Sequence, residues 1–282
     1  MKLLHHSWLR RDMETYKDLL CGCAPGTHRR VLEMMLDHVH PPHARVLDLG
    51  AGSGALLLRL RDAGFTDLEA ADMAASNWGM QGVRYTRVDL NGRFSSSFQR
   101  KFRIACLSEV IEHLDSPREA LTQARELLED DGYLLLTVPN VAFWEGRLKF
   151  AVTGELWGFS EATYRTVRHI SPMTRSQIAL TLQEIGFRVI AFATAGSFAT
   201  PLRRALLAPL WLPMVAIAGR EVLGECTVFL AQKAPPDVEL TKPTDFYAAW
   251  VGPATEASAA SRNMESRSGY IESSGSPRAP TV

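Results

Sequence analysis

Short apolar runs alternate with amphipathic segments along most of the chain. Within 26–39 the apolar residues recur at the spacing of one helix face, which predicts a helix that ends before Pro41 and Pro42. The same period predicts further helices over 7–20, 54–63, 117–128 and 172–185. Apolar runs bounded by glycine, proline and aspartate predict seven strands, over 44–49, 68–72, 83–90, 102–107, 133–138, 187–193 and 226–231. This alternation predicts an α/β domain on a doubly wound, mostly parallel sheet, with the last two strands as candidates for antiparallel neighbours.

The pattern divides the chain into three parts. Residues 1–44 are predicted to form an N-terminal helical cap, and 45–233 to form the main domain. Proline, serine, alanine, glycine and threonine dominate the later part of 234–282, and no apolar period survives there, which predicts a mostly disordered tail. Two insertions, 141–171 and 196–224, interrupt the main domain and are predicted to lie on the side where a substrate binds.

Composition and charge narrow the classes of function. The chain has 46% hydrophobic residues and 31 basic against 31 acidic side chains, so nucleic acid is not favoured as a partner. The first residues lack the apolar core of a secretory signal, and four cysteines in 282 residues do not make a disulfide framework. We therefore expect a cytoplasmic protein.

Three glycines follow the first predicted strand and precede a helix. Gly50, Gly52 and Gly54 allow a tight turn in which backbone approaches a ligand closely. Asp72 closes the next strand about 20 residues later, where a carboxylate can accept both hydroxyls of a ribose. Both features fit a nicotinamide dinucleotide as well as an adenosyl compound, so on these residues alone an NAD(P)-dependent oxidoreductase remains an alternative.

Asp48 and Asp89 help to distinguish between these two kinds of ligand, because they lie in segments that resemble those of a known family. The stretch 46–54 resembles the first motif of class I S-adenosylmethionine-dependent methyltransferases, which carries an acid two residues before the first glycine. Asp89 resembles the adenine-contacting acid of that family, and 108–114, 133–141 and 169–174 resemble its later segments. The resemblance is to the bacterial branch of ubiquinone-biosynthesis-type and methionine-biosynthesis-type enzymes, and it implies a Rossmann-like fold with S-adenosyl-L-methionine as cofactor. The implied donor-binding residues are Asp48, Gly50, Ala51, Gly52, Gly54, Asp72, Met73, Asp89, Leu90 and Ser108.

The chemistry implied is transfer of a methyl group to a nucleophile in a dry pocket. A hydroxyl or ammonium acceptor has to lose a proton, and His113 and His169 are the candidate general bases, since histidine titrates near neutrality. Packing and substrate orientation are the alternatives for both. Glu112 is expected to be solvated or to cap a helix. We expect methylation at oxygen of a small acceptor that is apolar or lipid-linked; a non-catalytic partner protein of the same fold is a further alternative.

Two groups of candidate metal ligands are set aside. Cys21 and Cys23 have no second paired cluster near them in sequence. The three histidines His38, His40 and His43 fit the end of a helix followed by a polar turn. No metal site is predicted.

Residues 205–219 are apolar throughout and are flanked by arginines. The segment is too short to cross a membrane and contains two prolines. Besides simple burial, it has three interpretations: a flap over an apolar acceptor pocket, a dimer face, or a peripheral contact with a membrane surface. Trp144, Trp157 and Phe159 are candidates for lining the same acceptor pocket or for packing in a core.

Overall fold

The computed structural model describes residues 9–39 and 44–234 of the chain. Its strands are β1 (Thr15–Tyr16), β2 (Leu19–Leu20), β3 (Val46–Leu49), β4 (Leu68–Asp72), β5 (Arg84–Arg87), β6 (Phe102–Ser108), β7 (Leu128–Pro139), β8 (Phe187–Ala195) and β9 (Cys226–Lys233). Its helices are α1 (Thr27–His38), α2 (Ala55–Asp62), α3 (Pro117–Leu127), α4 (Trp144–Thr153), α5 (Glu161–Val167), α6 (Arg175–Glu184), α7 (Pro201–Leu206) and α8 (Ala208–Ala218).

Seven strands form one sheet in the order β5-β4-β3-β6-β7-β9-β8. Strand β9 is antiparallel to both of its neighbours, and the other strand pairs are parallel. The predicted fold class and the antiparallel pairing of the last two strands are confirmed. The strand order reverses between β3 and β6, and such a reversal opens a crevice at the carboxyl ends of the strands.

Helices cover both faces of the sheet, which explains why the central strands are almost continuously apolar. All four residues of β3 are buried, and alternate residues belong to the two cores. The core on one face includes buried side chains from α3 and α6. The core on the other face includes buried side chains from α1 and α2.

Local sequence signals start the helices on the first of these faces. Pro117 stands at the first position of α3, and the Ser116 side chain accepts a hydrogen bond from the Glu119 amide. Thr174 and Gln177 form a reciprocal capping box at the start of α6. These caps satisfy amides that a helix cannot bond internally, so both helices begin close to the positions that the pattern predicts.

The predicted helix over 7–20 is wrong. Where this segment is described it contains the two-stranded hairpin β1–β2, and Lys17 and Asp18 turn the chain with positive φ of 46° and 71°. Tyr16 and Leu19 pack against the buried residues around Ala55 of α2. Tertiary packing of these side chains therefore overrides the weak helical period, and the cap is a hairpin followed by one helix.

The two insertions are helical and share a small core of their own. Phe143, Trp144 and Val222 are buried there, and Trp157 and Trp211 pack against them. The core joins the segment that carries α4 to the one that carries α7 and α8. Among the described residues, no helix is both long enough and apolar enough to cross a membrane. The tail predicted over 234–282 lies, apart from Ala234, outside the described residues.

Helix α6 offers a matched test of the packing on one sheet face. Leu182 is fully buried, whereas Leu180 of the same helix is 58% exposed. We expect Leu182→Ala to lower the free energy of unfolding by about 2–5 kcal/mol because it leaves a cavity in the core. We expect Leu180→Ala to change it by less than about 0.5 kcal/mol. Urea denaturation measures both; equal effects would contradict this placement of α6.

Candidate active site

The turn between β3 and α2 brings backbone to the edge of an open crevice. Gly50 has a φ of +79°, and a Cβ atom there would lie 2.5 Å from Cγ2 of Val110. Gly52 has a φ of +53°, and a Cβ atom there would meet nothing within 4 Å. Gly50 has to be glycine because a side chain there would overlap Val110, whereas Gly52 faces open space. Gly54 packs against Trp78 and Met80 and does not line the crevice.

Asp72 ties the end of β4 to this turn. One oxygen of its carboxylate accepts a 2.8 Å hydrogen bond from the Gly52 amide, and the other accepts one of 3.2 Å from the Ala74 amide. The Gly50 amide donates to the carbonyl of Ala71 at 2.7 Å. The carboxylate is thereby fixed at the mouth of the crevice, beside the glycine that leaves space for a ligand.

The crevice has two adjoining compartments, and Gly50 and Glu109 line both. The first has a volume of about 480 Å³ and includes Asp48, Gly52 and Ser108. The second has a volume of about 350 Å³ and is lined further by Asp72, Met73, Asp89, Leu90 and His113. The structure thus places the donor-binding residues predicted from the sequence along one crevice, with the exception of Gly54; Ala51 lines the first compartment.

Asp48 lies at the inner wall of the first compartment. Its residue surface is 2% exposed, and its carboxylate receives no hydrogen bond from the part of the chain that the structure describes. Burial and the nearby Asp72 raise the pKa of Asp48 to about 7. A cationic ligand in this compartment would remove the electrostatic cost of the ionised carboxylate.

Ser108 and Glu109 follow β6 and join the crevice to the next strand. The Ser108 hydroxyl lies 3.0 Å from that of Thr137, and the Thr137 hydroxyl donates to Glu109 Oε1 at 2.9 Å. Glu109 has a φ of 55°, in the left-handed region that a non-glycine residue rarely adopts. Burial raises the pKa of its carboxyl to about 7. A strained acid that lines both compartments is typical of a functional position.

The outer wall of the first compartment comes from the hairpin, which the pattern does not predict, and from the start of α1. Leu19, Leu20 and Gly22 line it, and the Ser53 hydroxyl donates to the Leu20 carbonyl at 2.7 Å. His28 of α1 also lines it and is buried, and this burial lowers its pKa to about 3. The hairpin therefore covers the glycine turn, and His28 is neutral there.

Glu112, His113 and His169 form a cluster beside the second compartment. Their ligating oxygen and nitrogen atoms all lie within 4.8 Å of one another. His113 Nδ1 lies 2.6 Å from the Val167 carbonyl, and His169 Nδ1 lies 2.6 Å from the Gly158 carbonyl. A carbonyl only accepts, so each Nδ1 carries the hydrogen, and each Nε2 of a neutral ring is left as an acceptor.

The expectation that Glu112 is solvated or caps a helix is wrong. The residue is 1% exposed, and neither oxygen of its carboxylate has a hydrogen-bond partner among the described residues. Burial and the neighbouring Glu109 raise its pKa well above the usual range. An unpartnered buried carboxyl beside two imidazoles can bind a cation or accept a proton. This cluster could not be predicted from the sequence, because His169 belongs to the first insertion and is far along the chain from 112 and 113.

Of the cysteine and histidine residues that the sequence sets aside, Cys21 lines the first compartment. Cys21 and Cys23 are buried and free, and burial raises the pKa of both thiols. His38 Nδ1 lies 3.0 Å from the Met34 carbonyl, and His40 and His43 are outside the described residues.

The aromatic residues of the first insertion lie in two places. Trp144 is buried in the small core that joins the insertions. Phe159 lies with its ring 5.4 Å from that of His169, next to the titratable cluster.

Comparison with known proteins shows which family the chain matches. Residues 19–191, more than half of the chain, match the model of the methyltransferase-domain family. Malonyl-[acyl-carrier protein] O-methyltransferase of Geobacter sulfurreducens is 29% identical over 188 residues, which cover 58% of this chain and 64% of that enzyme. The chain thus spans less than two thirds of the length of this relative.

Solved structures share the fold at low identity. A candidate methyltransferase from Bacillus halodurans C-125 superposes with a TM-score of 0.51 at 16% identity, over 73% of this chain and 99% of that one. The [4+2]-cyclase SpnF gives a TM-score of 0.50 at 16% identity, over 74% and 82% of the two chains. Likeness of this degree shows the fold alone, whereas the family match extends across the glycine turn, Asp72, Asp89 and the Glu112 cluster. The chain therefore belongs to the methyltransferase-domain family.

Proposed function

We propose that this chain transfers the methyl group of S-adenosylmethionine to an oxygen atom of a small acceptor that is apolar or lipid-linked. The observation that carries the proposal is the position of the Glu112, His113 and His169 cluster beside the donor crevice. An oxygen nucleophile that starts as a hydroxyl needs a proton acceptor at that position. The name of the Geobacter sulfurreducens relative, an O-methyltransferase, supports an oxygen acceptor.

The crevice fits the donor in its chemistry. Asp72 and Asp89 stand at the second compartment, and each has carboxylate oxygen suited to the hydroxyl and amine groups of an adenosyl moiety. Asp48 lies in the first compartment with no internal partner, as expected for a wall that faces positive charge. Gly52 leaves the space that a side chain would fill. When bound, S-adenosylmethionine supplies an electrophilic methyl group on a positively charged sulfur.

We assign the proton transfer to His113, which lines the crevice, and a positioning role to His169. His113 Nε2 accepts the proton that an acceptor hydroxyl loses as its oxygen bonds to the methyl carbon and the carbon–sulfur bond breaks. The Val167 carbonyl fixes the tautomer that makes this possible. His169 packs edge-on against His113 with ring centres 4.8 Å apart and restricts its orientation.

A second arrangement is favoured by the unpartnered carboxyl of Glu112. A divalent cation bound by Glu112, His113 and His169 would satisfy that carboxyl and both Nε2 atoms. Such a cation would bind an acceptor oxygen and favour its deprotonation.

Radiolabelled methyl transfer from S-adenosylmethionine to a panel of phenols, fatty acids and malonyl thioesters tests the acceptor class. We expect incorporation at a hydroxyl or carboxyl oxygen. Incorporation only into thiol or amine acceptors would contradict the proposal. Donor binding with no transfer to any acceptor would favour a non-catalytic partner protein.

Removal of the Asp72 carboxylate should weaken donor binding. We expect Asp72→Ala to lower affinity for S-adenosylhomocysteine more than tenfold, because charge-assisted hydrogen bonds worth about 1.5–3 kcal/mol are lost. Isothermal titration calorimetry measures the effect. Asp37→Ala, at an exposed position of α1, is the control and should bind normally. Unchanged affinity in Asp72→Ala would contradict its role.

Asp48 should make the ligand-free protein less stable as pH rises. Its folded pKa, about 7, is above its ordinary value of 3.8, so the folded state holds the proton more tightly than the unfolded state does. Its contribution is therefore most favourable below about pH 4 and is lost as pH rises through 7. We expect Asp48→Asn to be more stable than wild type by on the order of 1–4 kcal/mol at pH 8, with little difference near pH 4. Denaturant unfolding across this pH range measures the difference, with Asp37→Asn as control. A difference between Asp48→Asn and wild type that did not depend on pH would contradict the assignment.

The cluster beside the crevice should act on turnover rather than on donor binding. We expect His113→Ala to lower kcat by about 10²–10⁴-fold with an unchanged Kd for S-adenosylhomocysteine. His38→Ala, on α1, should leave both unchanged. If a divalent cation occupies the cluster, treatment of wild type with EDTA should lower kcat and added Mg²⁺ or Zn²⁺ should restore it. Full activity after chelation would assign the cluster to proton transfer alone.

A further inference from the structure

A second large cavity lies at the same edge of the sheet as the donor crevice, beyond the end of β8. It has a volume of about 560 Å³ and lies between the N-terminus of α1, residues 194–197 and residues 220–224. Arg29 lines this cavity, whereas the preceding residue, His28, lines the donor crevice. The first turn of α1 therefore separates the two.

The charge around this cavity is strongly positive. The charged side chains that line it are Arg11, Arg29, Arg30, Arg204, Arg220 and Glu33. Glu33 is paired with Arg30 at 3.3 Å, and no carboxylate in the described ranges pairs with the other four arginines. The N-terminus of α1 adds no free positive charge, because the Glu14 carboxylate accepts a 2.6 Å hydrogen bond from the Gly26 amide, so the charge of this cavity comes from its arginine side chains. Guanidinium groups are the side chains best suited to bind a phosphate, because each can donate two hydrogen bonds to it.

An exposed apolar surface adjoins the same arginines. Arg204 lies in α7 and Arg220 follows α8, and no charged residue stands between 205 and 219. Helix α8 is apolar on all sides, yet none of its residues is fully buried: one side packs on the small core of the insertions. Its other side leaves Leu210, Leu212 and Ile217 exposed, the last to 87%.

An apolar helix face of this extent in water is unfavourable unless something covers it. Since the segment is too short to cross a membrane, a surface contact is the arrangement that fits both its length and its arginines. A phospholipid bilayer offers an apolar layer directly beneath a layer of phosphates. One arginine-lined cavity, with Arg204 before and Arg220 after the apolar segment, is complementary to it.

We propose that this face docks on a membrane surface that contains anionic phospholipid, with a phosphate headgroup in the arginine-lined cavity and the exposed side of α8 among the acyl chains. Docking would present the carboxyl edge of the sheet, and with it the donor crevice, toward the bilayer. The proposal rests on the cavity and on α8 and is independent of the identity of the methyl acceptor.

Co-sedimentation of the full chain with vesicles tests the proposal. We expect binding to vesicles of 30% phosphatidylglycerol in phosphatidylcholine, about tenfold or more tighter than to phosphatidylcholine alone, and weakening as salt is raised. Arg220→Glu should reduce binding to the anionic vesicles about tenfold or more. Arg84→Glu, an exposed position on the opposite edge strand, is the matched control and should bind normally.

A second pair of variants tests the contribution of the exposed apolar side of α8 to vesicle binding. Ile217→Ser should weaken vesicle binding severalfold, whereas Leu180→Ser, exposed on α6, should not. Circular dichroism melting confirms that each variant folds.

Three results would overturn the proposal: equal binding to neutral and anionic vesicles, equal effects of Arg220→Glu and Arg84→Glu, or unchanged binding in Ile217→Ser. A site for free phosphate would instead bind glycerol 3-phosphate in solution, lose it in Arg220→Glu, and show no affinity for vesicles. That result would also refute membrane docking.

Discussion

The hydrogen bond from the Gly52 amide to the Asp72 carboxylate holds the glycine turn against the end of the neighbouring strand, and the donor crevice depends on it. The parallel register that sets Leu49 opposite Ala71 brings Asp72 level with the turn. Gly50 then has to pack on Val110, and Gly52 is left facing open space. One short contact between two adjacent strand ends thereby fixes both the shape of the crevice and the position of its main hydrogen-bonding acid.

Buried or half-buried acids without cationic partners characterise the rest of the site. Asp48, Glu109 and Glu112 lie within or beside the crevice, and burial is the largest cause of the raised pKa of each. Such groups destabilise a ligand-free fold, because each ionised carboxylate lacks the solvation that water gives it. A positively charged ligand offsets that destabilisation, because it interacts favourably with the ionised carboxylates. The same residues thus reduce the stability of the ligand-free protein and favour a cationic ligand. Such a loss of stability is expected where residues are selected for function rather than for packing.

The sheet and the donor side were predictable from sequence, and the acceptor side was not. Strand β3, which contains Asp48, and strand β4, which ends at Asp72, are recognisable from apolar runs and acids that are close together in the chain. The hairpin before α1 depends on the contact of Tyr16 and Leu19 with α2, about 40 residues away, and no local period reports such a contact. The burial of Glu112 was not predicted for the same reason, since its main-chain carbonyl accepts hydrogen bonds from Ile170 and Ser171, far along the chain.

Strand β9 stands between β7 and β8, although it comes after both of them in the described part of the chain. It pairs with β7 from Tyr133 to Pro139 and with β8 from Phe187 to Ala195. During synthesis, the apolar edge of β7 therefore has no partner until some 90 further residues have left the ribosome, and β8 has none either. A nascent chain of this topology exposes two unpaired strand edges late in translation, which makes its final step of folding the one most open to misassembly and to capture by chaperones.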